Sequence, residues 1–481
     1  MNEVNPKRAE RARIVSRLPV SPDARDLFVG REAELGRLVR ALDRAIAHDG
    51  RLVLLVGEPG IGKTRIAREL VLRAAALGVA VRWGRCQETE GAPSYWPWVQ
   101  VLRTHEQGKQ HARAGPADGA LAALLADDVP PQVVVSEAES AHARFQLFET
   151  VAGALRKLCA ESPLLVVLDD LHWADATSLL LLRFVATELA DARLLVLGTY
   201  RDVEMRQGVG AGMLPELARA GERVILGGLA EADVARLLAA RAGRVLPDGV
   251  VAAVQQVSDG NPFFVEELAR TLEGVPDASP GAVHVPDHTL DVVRYRLRSL
   301  SARGRQVLDA ASVLGRDFEV SPLAAVSGLA PDDTLEALDE AARLGLLVAG
   351  EAPDAWRFAH ALVRETVYGD LPAARRVRLH RAVGEQLEAL GPAVRTRRLP
   401  ELAHHFASSA SLDRGAKAAT YARAAGEQAL ARLAYEEAAA YFGQAITSIS
   451  FGDADAGARS RLILQRADAL WRANETAAVR A

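Results

Sequence analysis

Cysteine is almost absent from this sequence. Its 481 residues include only Cys86 and Cys159, which lie far apart and form no CxxC pair. Disulfide frameworks and cysteine-based zinc sites need several suitably spaced thiols, so the sequence indicates neither. A reducing compartment fits this usage, and we predict a cytoplasmic protein.

Long apolar runs are also missing. No stretch of about 18 consecutive apolar residues occurs, so the sequence predicts no membrane span. The first 25 residues carry basic side chains but lack the apolar core of a signal peptide. We predict a mobile tail over residues 1–25 and expect no membrane partner.

An excess of one charge is missing as well. The 58 lysines and arginines nearly balance the 62 aspartates and glutamates, which leaves a formal charge of −4. The sequence therefore gives no overall electrostatic reason to expect nucleic acid as a partner. Aromatic residues are sparse at 5%, but hydrophobic residues make up 49%, which predicts buried cores along most of the chain.

Strand-like and helix-like patterns alternate between residues 51 and 230. This alternation predicts a parallel sheet with crossover helices, and the continuous apolar character of the strands predicts that both sheet faces are covered. The predicted strands are RLVLLV (51–56), VAVRWGR (79–85), LLVVLDD (164–170), RLLVLGTY (193–200) and RVILGG (223–228).

Helical patterns dominate after about residue 230. Residues 273–288 are rich in proline and glycine and predict a linker, and two apolar runs within 346–360 predict a hairpin typical of a winged helix. From about residue 400 the chain is alanine-rich, and LAYEEAAAYFGQAI (433–446) has the spacing of a tetratricopeptide-type helix pair.

A glycine-rich stretch, GEPGIGKT, follows the first predicted strand and precedes a predicted helix. Backbone N–H groups of such a turn converge on phosphate oxygens, helped by the positive end of the helix. A lysine at its end can contact the β- and γ-phosphates, and the next hydroxyl can bind Mg²⁺. We therefore predict a site for ATP or ADP with Mg²⁺ at Gly57, Glu58, Pro59, Gly60, Ile61, Gly62, Lys63 and Thr64.

Two adjacent carboxylates end the third predicted strand, in LLVVLDDLHWAD. Asp169 lies where ligands bind at the carboxyl edge of a parallel sheet, so we predict that it holds Mg²⁺ through water. Asp170 follows directly, and an aspartate pair after a strand can also simply begin a turn.

Six ordered motifs together resemble a STAND-class AAA+ ATPase, the switch branch of AAA+ proteins related to the origin-recognition type. They are FVGREAEL (28–35), GEPGIGKT (57–64), GRCQETEGAPSYWPW (84–98), LDDLHWAD (168–175), GTYR (198–201) and GNPFFVEEL (260–268). Such modules occur in large LuxR-type transcriptional regulators and beside class III adenylate cyclases. The resemblance covers about residues 26–450.

The resemblance implies an α/β P-loop NTPase with a parallel sheet of the AAA+ type, followed by an all-α lid, a winged-helix-like domain and tetratricopeptide-like helical repeats. We accordingly predict a nucleotide-binding domain over residues 26–230 and a lid over 231–280. The winged-helix-like domain is predicted over residues 281–398, and the start of the helical array over 399–481.

The resemblance also implies roles for residues outside the glycine-rich loop. Val29 and Gly30 would border the adenine, and Pro262 would pack on it. Arg201 would be the sensor arginine that faces the γ-phosphate, and His360 would contact the β-phosphate of ADP. Simpler readings stay open, because Arg201 can merely close a strand, Pro262 can merely start a helix and His360 can merely be packed.

The function implied by the resemblance is an ATP-dependent signalling switch, closed with ADP and open or oligomeric with ATP. Hydrolytic AAA+ motors carry a glutamate where this chain has Asp170, whose carboxylate is shorter by about 1.5 Å. Because a misplaced base loses about 10²- to 10⁴-fold in rate, we predict slow ATP hydrolysis. An ordinary hydrolytic ATPase remains an alternative.

Other functions stay open at this level. Five arginines in VVRYRLRSLSARGR could contact DNA directly, namely Arg294, Arg296, Arg298, Arg303 and Arg305. The module could also regulate a cyclase. We expect ATP or ADP, a second copy of the chain and an unknown protein or inducer at the helical array as partners, and DNA only through a domain absent from this chain.

Overall fold

The structure is a computed structural model that describes residues 28–87, 91–106, 137–272, 289–350, 352, 354–413, 415–449 and 456–473. The predicted tail over residues 1–25 and the predicted linker over 273–288 lie outside these residues. Within the described parts of the chain, no helix is both long and apolar enough to cross a membrane. Cys86 and Cys159 are buried free thiols.

Five strands form one sheet in the order β2-β3-β4-β1-β5. The central strands β3 and β4 pair in parallel and are buried along their whole length, as expected for strands covered on both faces. The strands are β1 (Arg51–Val56), β2 (Ala80–Arg85), β3 (Leu164–Asp169), β4 (Leu194–Tyr200) and β5 (Gly221–Ile225). The predicted α/β class is confirmed, although β5 begins and ends earlier than its apolar run suggested.

Helices connect these strands, as alternating patterns predict. They are α1 (Glu32–Ile46), α2 (Lys63–Ala76), α3 (Trp96–Glu106), α4 (Glu137–Glu161), α5 (Ala176–Glu188), α6 (Asp202–Gln207) and α7 (Leu214–Ala220). Short 3₁₀ turns lie at Leu171–Trp173 and Val209–Gly212.

The chain divides into two compact units. Unit 1 comprises the described parts of residues 1–43, 53–81 and 223–371, and unit 2 comprises those of 44–52, 82–222 and 372–481. Neither unit is one continuous segment of sequence. The linear domain boundaries proposed from the sequence therefore stay predictions.

Unit 1 contains three helices that share a core of leucine and valine side chains, and a small antiparallel sheet with its own helices. The three helices are α8 (Glu231–Ala242), α9 (Asp248–Ser258) and α10 (Pro262–Leu272). The antiparallel sheet has the order β6-β8-β7, and β7 and β8 form the predicted hairpin. Its elements are α11 (Thr289–Arg298), α12 (Ala302–Leu314), β6 (Asp317–Glu319), α13 (Val320–Ser327), α14 (Pro331–Arg343), β7 (Leu347–Ala349), β8 (Ala355–Phe358) and α15 (Ala361–Gly369).

The last part of unit 2 is helical throughout its described residues. Its elements are α16 (Ala373–Ala389), α17 (Pro392–Arg397), α18 (Leu399–Ser408), a 3₁₀ turn (Ala410–Leu412), α19 (Ala416–Ala431), α20 (Tyr435–Ile449) and α21 (Ala456–Arg472). Small residues let these helices approach closely, since a Cβ atom at Gly426 would lie 2.7 Å from the Phe442 ring. This packing is what the alanine-rich pattern predicts for stacked helix pairs.

The arginines considered as DNA contacts are mostly engaged within unit 1. Arg296 is buried, forms an ion pair with Glu267 of α10 and donates a hydrogen bond to the Leu344 carbonyl. The other paired arginines contact Asp370, Asp333 and Asp309 through Arg294, Arg303 and Arg305, respectively. This pairing neutralises most of the patch and weakens the case for phosphate binding.

Replacing Arg296 by alanine should destabilise unit 1 by about 3–5 kcal/mol, because the change leaves the buried Glu267 carboxylate without its cation. Arg298, exposed on the same helix, is the matched control, and its alanine variant should stay within about 0.5 kcal/mol of the wild type. Urea unfolding of both variants checks the difference. Equal stabilities would show that the buried pair does not hold the two elements together.

Candidate functional site

The glycine-rich loop turns sharply between β1 and α2. Gly60 has φ 81° and Gly62 has φ 101°, which are left-handed conformations that side-chain-bearing residues rarely adopt. Helix α2 then begins at Lys63, so its first N–H groups lie next to the loop. The two left-handed glycines are compatible with the predicted phosphate-binding loop, which needs a tight turn before a helix start.

The Lys63 side chain is held within the loop. Its ammonium group donates hydrogen bonds to the carbonyl oxygens of Gly57 at 2.8 Å and Glu58 at 2.9 Å. Only 6% of the residue is exposed. A buried cation fixed at the start of α2 fits the predicted contact with phosphate oxygens.

Asn261 connects the loop to helix α10. Its side-chain amide donates to the Pro59 carbonyl at 2.9 Å, and its side-chain oxygen accepts from the Phe263 N–H at 3.2 Å. Asn261 therefore caps α10, and Pro262 occupies the first helical position. This is the arrangement expected if Pro262 serves to start the helix. The same cap also ties this helix to the loop.

His360 reaches the same helix from the small antiparallel sheet. Its ring stacks on the Phe263 ring with centroids 4.1 Å apart and an interplanar angle of 29°. Its Nδ1 accepts the Leu362 N–H at 3.3 Å and thereby caps α15. Because Nδ1 is the acceptor, the proton of the neutral ring lies on Nε2 in this arrangement.

These two helices meet at Gly60. A Cβ atom there would lie 2.8 Å from the Phe263 Cβ, 2.9 Å from the Asn261 side-chain oxygen and 3.3 Å from Leu362. Glycine is therefore required twice at this position, for its backbone angle and for the space. The loop, α10 and α15 form one close contact within unit 1.

The FVGR segment also contacts the loop. Arg31 donates to the Ile61 carbonyl at 3.2 Å and to the Gly227 carbonyl just beyond β5. The preceding Gly30 has φ 67° and leaves no room for a side chain, since a Cβ atom would lie 2.8 Å from the Asp233 carboxylate. Val29 is half-buried in the same segment.

The two aspartates of LLVVLDDLHWAD lie in unit 2 and have different surroundings. Asp169 is fully buried, accepts the Thr199 hydroxyl at 2.7 Å and lies 3.5 Å from the Arg85 guanidinium. Asp170 has φ 61°, and its N–H donates to the same Thr199 hydroxyl at 2.9 Å. A left-handed aspartate at the end of a strand is the kind of strain found at functional sites.

Arg201 follows β4 in the same unit. It is 6% exposed, and its guanidinium lies 3.2 Å from the Glu204 carboxylate one helical turn away. A buried, oriented guanidinium is compatible with both readings from the sequence, a phosphate sensor and a strand-closing arginine.

Comparison with known proteins assigns the sheet region. The family model described as the AAA ATPase domain matches residues 27–197. Residues 27–197 therefore form an AAA ATPase domain. This stretch includes the glycine-rich loop and both aspartates.

Similar proteins extend the comparison beyond the AAA ATPase domain. An uncharacterized protein of Rhizobium meliloti (strain 1021) is 27% identical in an alignment of 388 residues, which covers 74% of this chain and 36% of that protein. The chain thus spans about a third of the length of this curated relative.

Two solved structures are also similar. A STAND protein with a tetratricopeptide repeat sensor from Pyrococcus horikoshii matches with a TM-score of 0.51 and 15% identity, over 93% of this chain and 62% of that chain. The ORC2 protein of Aeropyrum pernix matches with a TM-score of 0.34 and 18% identity, over 78% of this chain and 98% of that chain. The match to the Pyrococcus horikoshii protein shows a shared fold, and the predicted fold class, a P-loop NTPase followed by helical parts, is confirmed.

A contact joins the AAA ATPase domain to the helical array inside unit 2. The Thr177 N–H at the start of α5 donates to the Glu437 carboxylate of α20 at 3.2 Å, and the Thr177 hydroxyl donates to it as well. Arg144 of α4 forms an ion pair with the neighbouring Glu436 at 2.8 Å. We call these residues the array contact.

Two buried carboxyl groups make the array contact sensitive to pH. Burial raises the pKa of Glu437 to about 8, and the negative charge of Asp175 adds to the rise. Burial also raises the pKa of Asp175, although hydrogen bonds from Ser178 favour its charged form. Glu437 is therefore neutral in the folded chain at a pH where an ordinary glutamate is charged.

Several residues that shape the site were not singled out from the sequence. Thr199 lies within the quoted GTYR motif and links the two aspartates, and Arg31 lies within FVGR and holds the loop. The sequence signal for Thr199 and Arg31 was that each lies within a quoted motif. Glu437 gave no signal, because its partner Thr177 lies 260 residues away along the chain.

Gly60→Ala should destabilise the AAA ATPase domain more than Gly62→Ala. Both changes force alanine into a left-handed conformation, at a cost of about 1–2 kcal/mol. Only Gly60→Ala adds a clash with Asn261 and Phe263, because a Cβ atom at Gly62 meets nothing within 4 Å, and this overpacking adds about 1–3 kcal/mol. Thermal unfolding checks the order, and equal losses would contradict the close contact at Gly60.

Raising the pH should weaken the array contact. A carboxyl group with its pKa raised from 4.5 to about 8 stabilises the fold fully below the lower value and loses this effect as the pH passes the higher one. Glu437→Gln imitates the neutral carboxyl, so its thermal midpoint relative to the wild type should rise between about pH 5 and pH 8.5. The charged or titratable groups nearby are Tyr95, Arg144, Asp175 and Glu436.

The control for this prediction is Glu427→Gln, which changes an exposed glutamate on α19. Its midpoint should follow the wild type at every pH. A pH-independent difference between Glu437→Gln and the wild type would mean that Glu437 is charged throughout.

Proposed function

We propose that this protein is an ATP-binding signalling switch whose nucleotide state sets the positions of helices α10 and α15. The observation that carries the proposal is the close contact of Gly60 with Asn261, Phe263 and Leu362. An AAA ATPase domain implies nucleotide binding. A phosphate group seated in this loop would therefore act on α10 and α15 directly, without a relay through distant parts of the chain.

The residues present fit a magnesium nucleotide. The loop N–H groups and Lys63 would hold the phosphates, and Thr64 and Asp169 would hold Mg²⁺, which neutralises phosphate charge when bound. The hydrogen bond from the Thr199 hydroxyl orients the buried Asp169 side chain, which supports its role as a ligand. Val29, Gly30 and Pro262 remain the proposed adenine neighbours.

Two sensors would distinguish the nucleotides. Arg201 would face the γ-phosphate of ATP, and His360 would face the β-phosphate of ADP. In the Nε2–H tautomer of His360, the Nε2–H group is a hydrogen-bond donor, which is the polarity that a phosphate oxygen requires. We propose that ADP stabilises the closed arrangement and that ATP opens it or promotes oligomers.

Slow hydrolysis would reset the switch. Asp170 is the proposed base, and its side chain, shorter than that of glutamate, limits how far it can reach toward a water molecule. The competing proposal is an ordinary hydrolytic ATPase. The AAA ATPase match is equally compatible with this second proposal, because the match does not separate motors from switches.

The regulatory setting is a further part of the proposal. The array contact gives the helical repeats a direct connection to the AAA ATPase domain, which suits a sensor for a protein or small inducer. We propose a cytoplasmic, LuxR-type role in transcriptional regulation, with DNA bound by a domain outside this chain. A cyclase-associated role is the alternative setting.

Nucleotide content and mass test the switch. We expect the purified protein to retain ADP and to change from monomer to oligomer when ADP is replaced by ATP, as measured by light scattering with nucleotide analysis. Lys63→Ala should abolish both effects. Turnover above about 10 s⁻¹ without any change of assembly would instead support the ordinary ATPase.

His360→Asn separates sensing from helix capping. Asparagine is a good N-cap residue, so α15 should keep its cap although the stacking on Phe263 is lost. The imidazole is lost, however, and we expect ADP to bind about tenfold more weakly or worse, because hydrogen bonds to charged groups contribute about 1.5–3 kcal/mol. Unchanged ADP affinity in titration calorimetry would make His360 a packing residue.

A further inference from the structure

Three histidines lie together where helix α16 meets helix α18 in unit 2. His380 comes from α16, and His404 and His405 come from α18. One ring nitrogen of each lies within 4.8 Å of the others. In the described part of the chain this is the one group of three or more such side chains with the geometry to hold a metal ion. We call it the histidine cluster.

The cluster is mostly shielded from solvent. His380 is 1% exposed and His405 is 3% exposed, whereas His404 is half-buried and lies at the edge. The ring centroids are 5.1 to 5.3 Å apart. Two helices thus bring three imidazole groups together, two of them buried and one partly exposed.

A short contact joins the two buried rings. The Nδ1 atoms of His380 and His405 lie 2.9 Å apart. One Nδ1 donates this hydrogen bond and the other accepts it. A metal ion bound to both atoms would take the place of the shared proton, which would move to the other nitrogen of its ring.

The neighbouring cations do not oppose a bound cation strongly, because each is paired. Arg381, next to His380, forms ion pairs with Asp413 and Glu385. Lys417 forms an ion pair with Glu388. The carboxylates therefore offset the positive charge around the cluster.

We propose that His380, His404 and His405 bind one divalent transition-metal ion of the zinc class. Three imidazole ligands with a fourth position open to solvent are a known donor set for Zn²⁺. Zinc–nitrogen bonds of about 2.0–2.1 Å in tetrahedral geometry separate the nitrogen atoms by about 3.3 Å. The three ligand atoms lie within 4.8 Å of one another, so metal binding would draw them together by up to about 1.5 Å. The ion would link α16 to α18 within unit 2.

Zinc binding tests the proposal directly. The full chain, made without a polyhistidine tag and stripped with EDTA, is titrated with Zn²⁺ in calorimetry without nucleotide or Mg²⁺. We expect one Zn²⁺ per chain at the cluster and a higher thermal midpoint with the metal. His404→Ala should weaken this binding at least about tenfold, because a ligand is lost.

Two further variants make the result decisive. His142→Ala removes an exposed histidine of the same unit and should bind Zn²⁺ as the wild type does. His404→Gln replaces His404→Ala if the alanine variant unfolds, and both leave the buried His380–His405 contact in place. Zinc uptake that is absent in the wild type, or unchanged in the His404 variants, would overturn the proposal.

Discussion

The steric requirement at Gly60 is the constraint on which the nucleotide-binding side of this protein depends. A loop that needs left-handed backbone angles is common to phosphate sites, but here the same residue also leaves the space that Phe263 and Leu362 fill. The Asn261 amide adds a hydrogen bond to the loop carbonyl of Pro59. A ligand that shifts the loop by a few tenths of an ångström must therefore move or strain both helices, since packed contacts do not deform continuously.

Unit 2 contains a second contact, which is polar rather than steric and joins the helical array to α5. Glu437 of the helical array accepts hydrogen bonds at the start of α5, which follows directly on the LHWAD segment. This contact is polar and buried, so its strength depends on protonation and on exact pairing rather than on apolar area. The loop contact in unit 1, by contrast, is mainly steric. A switch built from these two contacts would respond to a nucleotide at one and to a partner of the array at the other.

Much of the fold could be predicted from the sequence, because its signals are local. Continuous apolar strands such as RLVLLV, a glycine-rich turn and helical spacing after residue 230 each fix an element through neighbouring residues. The three-residue strand β6 was not predictable, since so short a segment shows no alternation. The candidate site could be proposed where a motif carries it, as for Lys63 and Asp169. The contacts of Gly60, the stacking of His360 on Phe263 and the pairing of Thr177 with Glu437 depend on residues far apart in sequence, which no periodicity relates.

Hydrogen exchange with and without ADP tests the central claim most directly. The claim is that the nucleotide acts on helices α10 and α15 through the glycine-rich loop. The account predicts that ADP slows exchange in residues 57–64 and, together with them, in α10 and α15, and that Lys63→Ala abolishes all three effects. Protection confined to the loop and α2, with α10 and α15 unchanged, would contradict the account. The protein would then bind nucleotide without transmitting its state to the helices that contact Gly60.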